Sequence, residues 1–239
     1  MFRPGKLMNI ISAEKVSKSY RIEDREIAVL KAVSLAVDKG EFLVVEGRSG
    51  SGKTTLLSLL SGLDKPSEGR IIVDGRDITD VAEDDLAPLR NAIFGFVFQS
   101  FHLVPALTAL ENVMFPAEIK RDRQAQKRAK ALLQRVGLSH RYDNYPHQLS
   151  GGEMQRVAIC RAVINHPKII FADEPTGNLD SESGRLILDL MLEFHREERA
   201  TLIMATHNRE ISALADRIIR LTDGRINGDQ RGISVHAVR

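Results

Sequence analysis

The stretch that decides the fold is Gly47-Arg48-Ser49-Gly50-Ser51-Gly52-Lys53-Thr54. It fits the spacing G-x-x-x-x-G-K-[ST] in full. Before it lies the apolar run Phe42-Leu43-Val44-Val45, and after it Thr55-Leu56-Leu57-Ser58-Leu59-Leu60. Strand, glycine-rich loop and helix in that order let backbone N–H groups turn inward around phosphates, and the helix start adds partial positive charge. Lys53 then supplies a full charge to the β- and γ-phosphates, while the Thr54 hydroxyl can ligate Mg²⁺. The loop alone implies nucleoside triphosphate binding without saying which NTPase.

Outward from the loop, apolar and β-branched clusters recur at wide spacing. Strand patterns fall near Ile27–Val37, Glu41–Glu46, Arg70–Val73, Phe94–Phe98, Lys168–Ala172, Thr201–Ala205 and Arg217–Leu221. Helical patterns lie between several of them, at Lys53–Gly62, Gln124–Val136, Gly151–Asn165 and Glu182–Arg196. Alternation of continuous apolar strands with helices predicts an α/β fold with a mostly parallel sheet covered on both faces. From about Ser100 to Asn165 the patterns are helical only, so this region reads as a helical lobe inserted into the core. Its basic run Lys127, Arg128 and Lys130 is either a solvated helix face or a surface for an acidic partner. The tail after Asp223 shows no clear periodicity and reads as loosely ordered.

Bulk composition narrows the class. The 239 residues are 43% hydrophobic and 28% charged, which is globular rather than disordered. A formal net charge of +2 gives no global electrostatic case for nucleic acid. The single cysteine, Cys160, excludes an intrachain disulfide framework and reads as a small buried side chain. No apolar run approaches the roughly 20 residues that span a bilayer, and Met1–Asn9 lacks the pattern of a signal peptide. The expected compartment is the cytosol, with any membrane role exercised through a partner.

Two further strands end in polar groups. Lys168-Ile169-Ile170-Phe171-Ala172-Asp173-Glu174 is an apolar strand closing on two acids, which costs free energy unless something compensates the charge. Mg²⁺ is such a compensation: Asp173 can hold the ion through its water shell. Strand alternation then points Glu174 the other way, toward an attacking water that it can deprotonate. Thr201-Leu202-Ile203-Met204-Ala205-Thr206-His207 repeats the pattern. A lone histidine there is often structural, and His207 becomes functional only if it reaches the γ-phosphate.

At Leu149-Ser150-Gly151-Gly152-Glu153-Met154-Gln155-Arg156 the sequence resembles the LSGGQ signature of ATP-binding-cassette (ABC) ATPases. Ser150 is a good N-cap for a helix whose start forms a second anion site. The resemblance runs from about Ile10 to Gly224 and implies a P-loop NTPase fold: a RecA-like core at 10–98 and 166–224, an antiparallel β edge subdomain, a helical lobe at 99–165 and a tail at 225–239. It implies ATP and Mg²⁺ as ligands and a head-to-tail homodimer in which Ser150, Gly151, Gly152 and Glu153 close on ATP held by the other copy. Tyr20 resembles the aromatic that stacks on adenine, although alone it reads as a core or edge-strand tyrosine. Gly47, Arg48, Ser49, Gly50, Ser51, Gly52, Lys53, Thr54 and Thr55 would surround the phosphates. Gln99 resembles the glutamine that contacts Mg²⁺ and the attacking water, Asp180 belongs to a loop that crosses the dimer, and His207 resembles the γ-phosphate sensor. Glu174, His207, Lys53 and Gln99 would carry catalysis, and Thr54, Gln99 and Asp173 the metal.

The segments Gly95–Pro105, Leu107–Val113 and Ala172–Asp180 resemble the lipoprotein-release, macrolide-export and cell-division ATPases of bacteria. That subgroup implies integral membrane permease subunits and an extracytoplasmic component. The chain would lie peripherally on the inner face of the cell membrane, without nucleic acid. Phe101, Leu103, Val104 and Leu107 are either lobe core or an apolar patch that holds a short permease helix. Met154 departs from the usual Gln of the signature outside its Ser-Gly-Gly core, and Cys160 replaces a usual Ala, a small packing change. Two alternatives stay open: an ATPase subunit that signals to an extracytoplasmic partner without transporting a substrate, and a soluble non-transport ABC ATPase.

Overall fold

A computed structural model describes residues 9–23 and 25–232. The chain forms two compact units, one from residues 9–88 with 201–232 and one from 89–200. The readings made on residues 1–8 and on the far end of the tail, 233–239, lie outside the described residues.

The first unit carries two kinds of β-structure. One is an antiparallel sheet ordered β2 (Arg25–Asp38), β1 (Asn9–Ile22), β4 (Glu68–Val73), β5 (Arg76–Asp77). The expected antiparallel subdomain is therefore present, but β1 is not among the strands that the sequence pattern marks. Its alternation is broken by register shifts, by adjacent buried residues Ile10 and Ile11, and by Lys15 at φ 49, so a search for period two finds little. In the other sheet, β3 (Phe42–Glu46) pairs in parallel with both β8 (Thr201–Thr206) and β9 (Arg217–Thr222). All six residues of β8 and the first four of β3 are buried, as strands covered on both faces must be. Helix α1 (Lys53–Leu60) buries Leu56, Leu57, Leu59 and Leu60.

Beyond β9, residues Arg225–Arg231 form strand β10, antiparallel to β9. This corrects the expectation of a loosely ordered tail. Its burial alternates weakly over mostly polar residues, so an edge strand held by backbone pairing leaves no hydrophobic period to detect.

The second unit pairs β6 (Phe94–Phe98) in parallel with β7 (Ile169–Asp173) and is otherwise helical. The chain enters it within α2 (Glu83–Ile93) and leaves it after α6 (Ser181–Glu198). Between β6 and β7 come α3 (Ala109–Ile119), α4 (Ala125–Arg135) and α5 (Gly151–Val163), with no strand, as expected. Helix α3 was not legible from periodicity because its apolar residues are too dense. Its start carries a full capping box between Thr108 and Glu111. In α4, Arg128 pairs with Asp122 and Lys130 lies over the Tyr142 ring, while Lys127 is exposed, so the basic run is a solvated face with local partners. Cys160 is fully buried, and desolvation pushes its thiol up to about 12.

Candidate functional site

The first unit assembles a phosphate loop. Strand β3 ends at Glu46, the chain turns through Gly47–Gly52, and α1 starts at Lys53. Gly52 sits at φ 102, a conformation that strains any residue with a side chain, and a Cβ there would lie 2.9 Å from Leu30 Cδ2. Helix α1 begins with no side-chain cap and no acidic residue in its first turn. Its opening N–H groups and the positive end of its dipole therefore have no carboxylate of their own. Lys53 is only 8% exposed, and its Nζ donates to the carbonyls of Gly47 at 2.9 Å and Arg48 at 3.4 Å. Ser51 Oγ is buried without a hydrogen-bond partner, a cost that a bound acceptor or donor would remove. An anionic phosphate chain fits all three observations.

Beside the loop lies a cavity of about 650 Å³ lined by Gly47, Arg48, Ser49, Gly50 and Ser51 together with His207, Arg209, Arg220 and Asn227. His207 is exposed one residue beyond β8, so parallel pairing of β8 with β3 delivers it to the same cavity as the loop. Thr54 is exposed at the first turn of α1, and Thr55 is half-buried behind it. Tyr20, on β1, is 38% exposed; its hydroxyl donates to Asp64 Oδ2 at 2.8 Å, and Lys18 Nζ stands 4.8 Å from the ring centre. Burial and the Asp64 carboxylate raise the Tyr20 hydroxyl above its usual range.

The second unit carries the other candidates. Asp173 ends β7, half-buried, and Glu174 follows at φ 45. The strand-alternation argument for Glu174 therefore does not apply. A left-handed turn, rather than the pleat, sets its direction, and a non-glycine residue held there marks stored strain. Gln155, fully buried on α5, braces this turn: its Nε2 donates to Pro175 O at 2.6 Å and to Phe98 O at 3.3 Å. Gln99 follows β6, exposed, and its Nε2 donates to Asn178 Oδ1 at 2.9 Å. After it, Phe101 and His102 both have positive φ, at 61 and 48. Arg161 of α5 holds that bend, donating to His102 O at 2.5 Å and Phe101 O at 2.9 Å.

Ser150 is the N-cap of α5, as expected. Its hydroxyl accepts from Glu153 N at 3.3 Å, and its own N–H donates to Glu153 Oε2 at 2.8 Å. Arg141 donates to Glu153 Oε1 at 2.9 Å. Burial raises the Glu153 carboxyl, but the Ser150 N–H, the Ser150 hydroxyl and Arg141 together outweigh it and hold the carboxyl low. Gly151 and Gly152 open the helix, and Asp180 caps α6 by accepting from Ser183 N at 2.9 Å.

Phe101, Leu103 and Leu107 are half-buried and Val104 is 39% exposed, so none of the four belongs to the buried core. Leu107 joins Leu110, Met114 and Phe115 in a groove of about 400 Å³ rimmed by Glu111, Glu118 and Asp143. Fully buried Asn112 ties its edge together, accepting from Val104 N and donating to the carbonyls of Val104, Leu107 and Thr108.

Sequence reasoning missed Arg141, Gln155 and Arg161. Gln155 falls on the α5 face shared with buried Ala158 and Ala162, where a polar side chain must find partners, so burial by helical period was the available signal for it; half-buried Arg161 offers no such signal. Arg141 follows from no local pattern.

A phosphate loop delivered by a parallel strand, with a histidine brought to it by the neighbouring strand, defines a nucleoside triphosphatase of the P-loop class. The ABC transporter family model matches residues 30–177. The lipoprotein-releasing system ATP-binding protein LolD of a Shewanella species is 47% identical over 90% of this chain and 94% of its own length. The macrolide export ATP-binding/permease protein MacB of Syntrophobacter fumaroxidans is 44% identical over 95% of this chain, and the chain spans only 32% of that relative. A dimeric structure of a post-hydrolysis state of the ATP-binding cassette MJ0796 bound to ADP and Pi superposes with a TM-score of 0.87 at 39% identity, covering 92% of this chain and 98% of that one. The chain belongs to the ABC transporter family, and its place in that family is the ATP-binding cassette, an ATPase.

Proposed function

We propose that this cassette works as a head-to-tail homodimer that closes on two ATP molecules and drives integral membrane permease subunits from the inner face of the membrane. The observation that carries the reading is the phosphate loop: an uncapped α1, a buried Lys53 beside the loop carbonyls and a buried Ser51 hydroxyl without a hydrogen-bond partner. In each closed site Lys53, the α1 N–H groups and the Ser150–Glu153 helix start of the partner copy would stabilise charge on the transferring phosphoryl group. Glu174 would orient and deprotonate the attacking water, and His207 would hold the γ-phosphate end. Tyr20 would stack on the adenine, and Asp180 would cross the dimer.

Oxygen donors suited to Mg²⁺ are available in Thr54, Asp173 and Gln99. Among the described residues no group of three His, Cys, Asp or Glu side chains could hold a metal. Bound Mg²⁺ would neutralise charge on the β- and γ-phosphates. No helix among the described residues is long and apolar enough to cross a membrane. The groove of Leu107, Leu110, Met114 and Phe115 offers that permease an apolar seat for a short helix. Similarity to lipoprotein-release and macrolide-export proteins supports export or mechanical work on an extracytoplasmic component. The division into a core at 10–98 and 166–224 and a lobe at 99–165 remains part of this proposal.

The test is to express tagged Glu174→Gln protein in its native cell and extract membranes with ATP present. A co-purifying permease with few spans and a large extracytoplasmic domain supports the reading. A many-spanning channel-type permease sinks the subgroup, and recovery from the soluble fraction alone sinks the membrane role.

A further inference from the structure

Gln99 and Asn178 are joined by two hydrogen bonds, and together these leave their amides no choice of orientation. Asn178 Nδ2 donates to the main-chain oxygen of Gln99 at 3.1 Å, while Gln99 Nε2 donates to Asn178 Oδ1 at 2.9 Å. A main-chain carbonyl can only accept, so Asn178 must turn its NH₂ toward it. Its Oδ1 then faces the Gln99 side chain and can only accept, so Gln99 must turn its own NH₂ there. Any other combination sets oxygen against oxygen or NH₂ against NH₂. The edge of Gln99 left facing away from Asn178 is therefore Oε1, a hard oxygen donor. Gly177 leaves room for this pairing, since a Cβ on it would stand 2.9 Å from Gln99 Nε2.

We infer that Asn178 is a positioning residue for Gln99: it locks the side-chain amide so that Oε1, and never the NH₂, is offered to the cation that accompanies ATP. The inference rests on the proposed role of Gln99 as a Mg²⁺ ligand and adds the reason its amide needs no search for the right face. A glutamine free to flip presents a donor to the cation part of the time, and Asn178 removes that fraction in advance.

The experiment measures ATP affinity by equilibrium binding in Mg²⁺ and in EDTA, on full-length protein carrying Glu174→Gln so that ATP is not consumed. The ratio of the two affinities is the factor by which Mg²⁺ tightens ATP binding. Asn178→Ala is expected to lower that factor about three- to tenfold, the size of one lost hydrogen bond, while affinity in EDTA stays at the parent value. Gly177→Ala, whose methyl displaces Gln99 Nε2 without removing a polar group, is expected to move the factor the same way. Gln99→Ala lowers it as well, and adding Asn178→Ala to Gln99→Ala lowers it no further. An unchanged factor in both Asn178→Ala and Gly177→Ala, with Gln99→Ala lowered, overturns the positioning role and leaves the Gln99 assignment standing. Equal losses in Mg²⁺ and EDTA overturn it in favour of a purely structural contact. An unchanged factor in Gln99→Ala overturns both.

Discussion

The phosphate loop and the paired turns of the other unit solve the same backbone problem with opposite chemistry. In Gly47–Gly52 the left-handed positions are Gly50 and Gly52, which adopt them at no steric cost. In the two turns that follow β6 and β7 of the second unit the left-handed positions are Phe101, His102 and Glu174, each of which carries a Cβ and is strained there by about 1 kcal/mol or more. Such strain persists only where surrounding contacts over-determine it. Arg161 forks onto the carbonyls of Phe101 and His102, and Gln155 pins Pro175 beside Glu174. The first loop is built by its own residues; the other two turns are built by helix α5. Both α5 braces lie on the helix that opens with the Ser150 signature.

The largest expected effect separates what the two kinds of loop do. Glu174→Gln should leave ATP binding intact and cut turnover about a thousandfold, within the range for loss of a general base. A variant that hydrolysed ATP at the parent rate would show that the strained turn serves structure alone. Lys53→Ala should weaken ATP binding about a hundredfold or more by removing a charge-assisted contact to phosphate, with little change in the melting temperature. Unchanged affinity by calorimetric titration would break the phosphate-loop half of the comparison.

A second pair of variants tests the backbone claim itself. Gly52→Ala should destabilise the first unit by about 2 kcal/mol in urea unfolding, because φ 102 and the nearby Leu30 side chain both resist a methyl. Phe101→Gly should cost nothing or stabilise slightly, since relief of strain offsets the loss of a half-buried ring. If both glycine and non-glycine positions responded alike, the contrast between self-built and braced turns would fail. Arg161→Met is the sharper form: hydrogen exchange at residues 100–103 should accelerate about tenfold while exchange in Gly47–Gly52 does not change.

The smallest effect is electrostatic. The folded carboxyl of Glu153 lies below its unfolded value of about 4.3, so its contribution is present above that value and disappears as pH falls through the folded one. The gap in urea stability between parent and Glu153→Gln should therefore shrink toward zero on moving from pH 7 into the acid range. Arg141, the partner of Glu153, keeps 35% of its side chain exposed, so solvent screens the pair and the gap at pH 7 should stay at about 1 kcal/mol. A gap that widened on acidification would reverse the sign of the capping argument.

Much of this protein was legible without coordinates because its chemistry is encoded in local spacing. Eight consecutive residues specify the phosphate loop, since glycines at set positions, a lysine and a threonine create the anion site whatever lies elsewhere. Ser150 and Glu153, three apart, specify a capped helix start for the same reason. Strands β10 and β1 escaped because backbone pairing across the sheet, not side-chain period, holds them. The tertiary structure alone decided that Glu174 turns left-handed, that His207 shares a cavity with the loop, and that Gln99 is locked to Asn178. The last two join residues far apart in the chain, which only the folded sheet brings within reach, and the first is a local turn braced from helix α5 by Gln155.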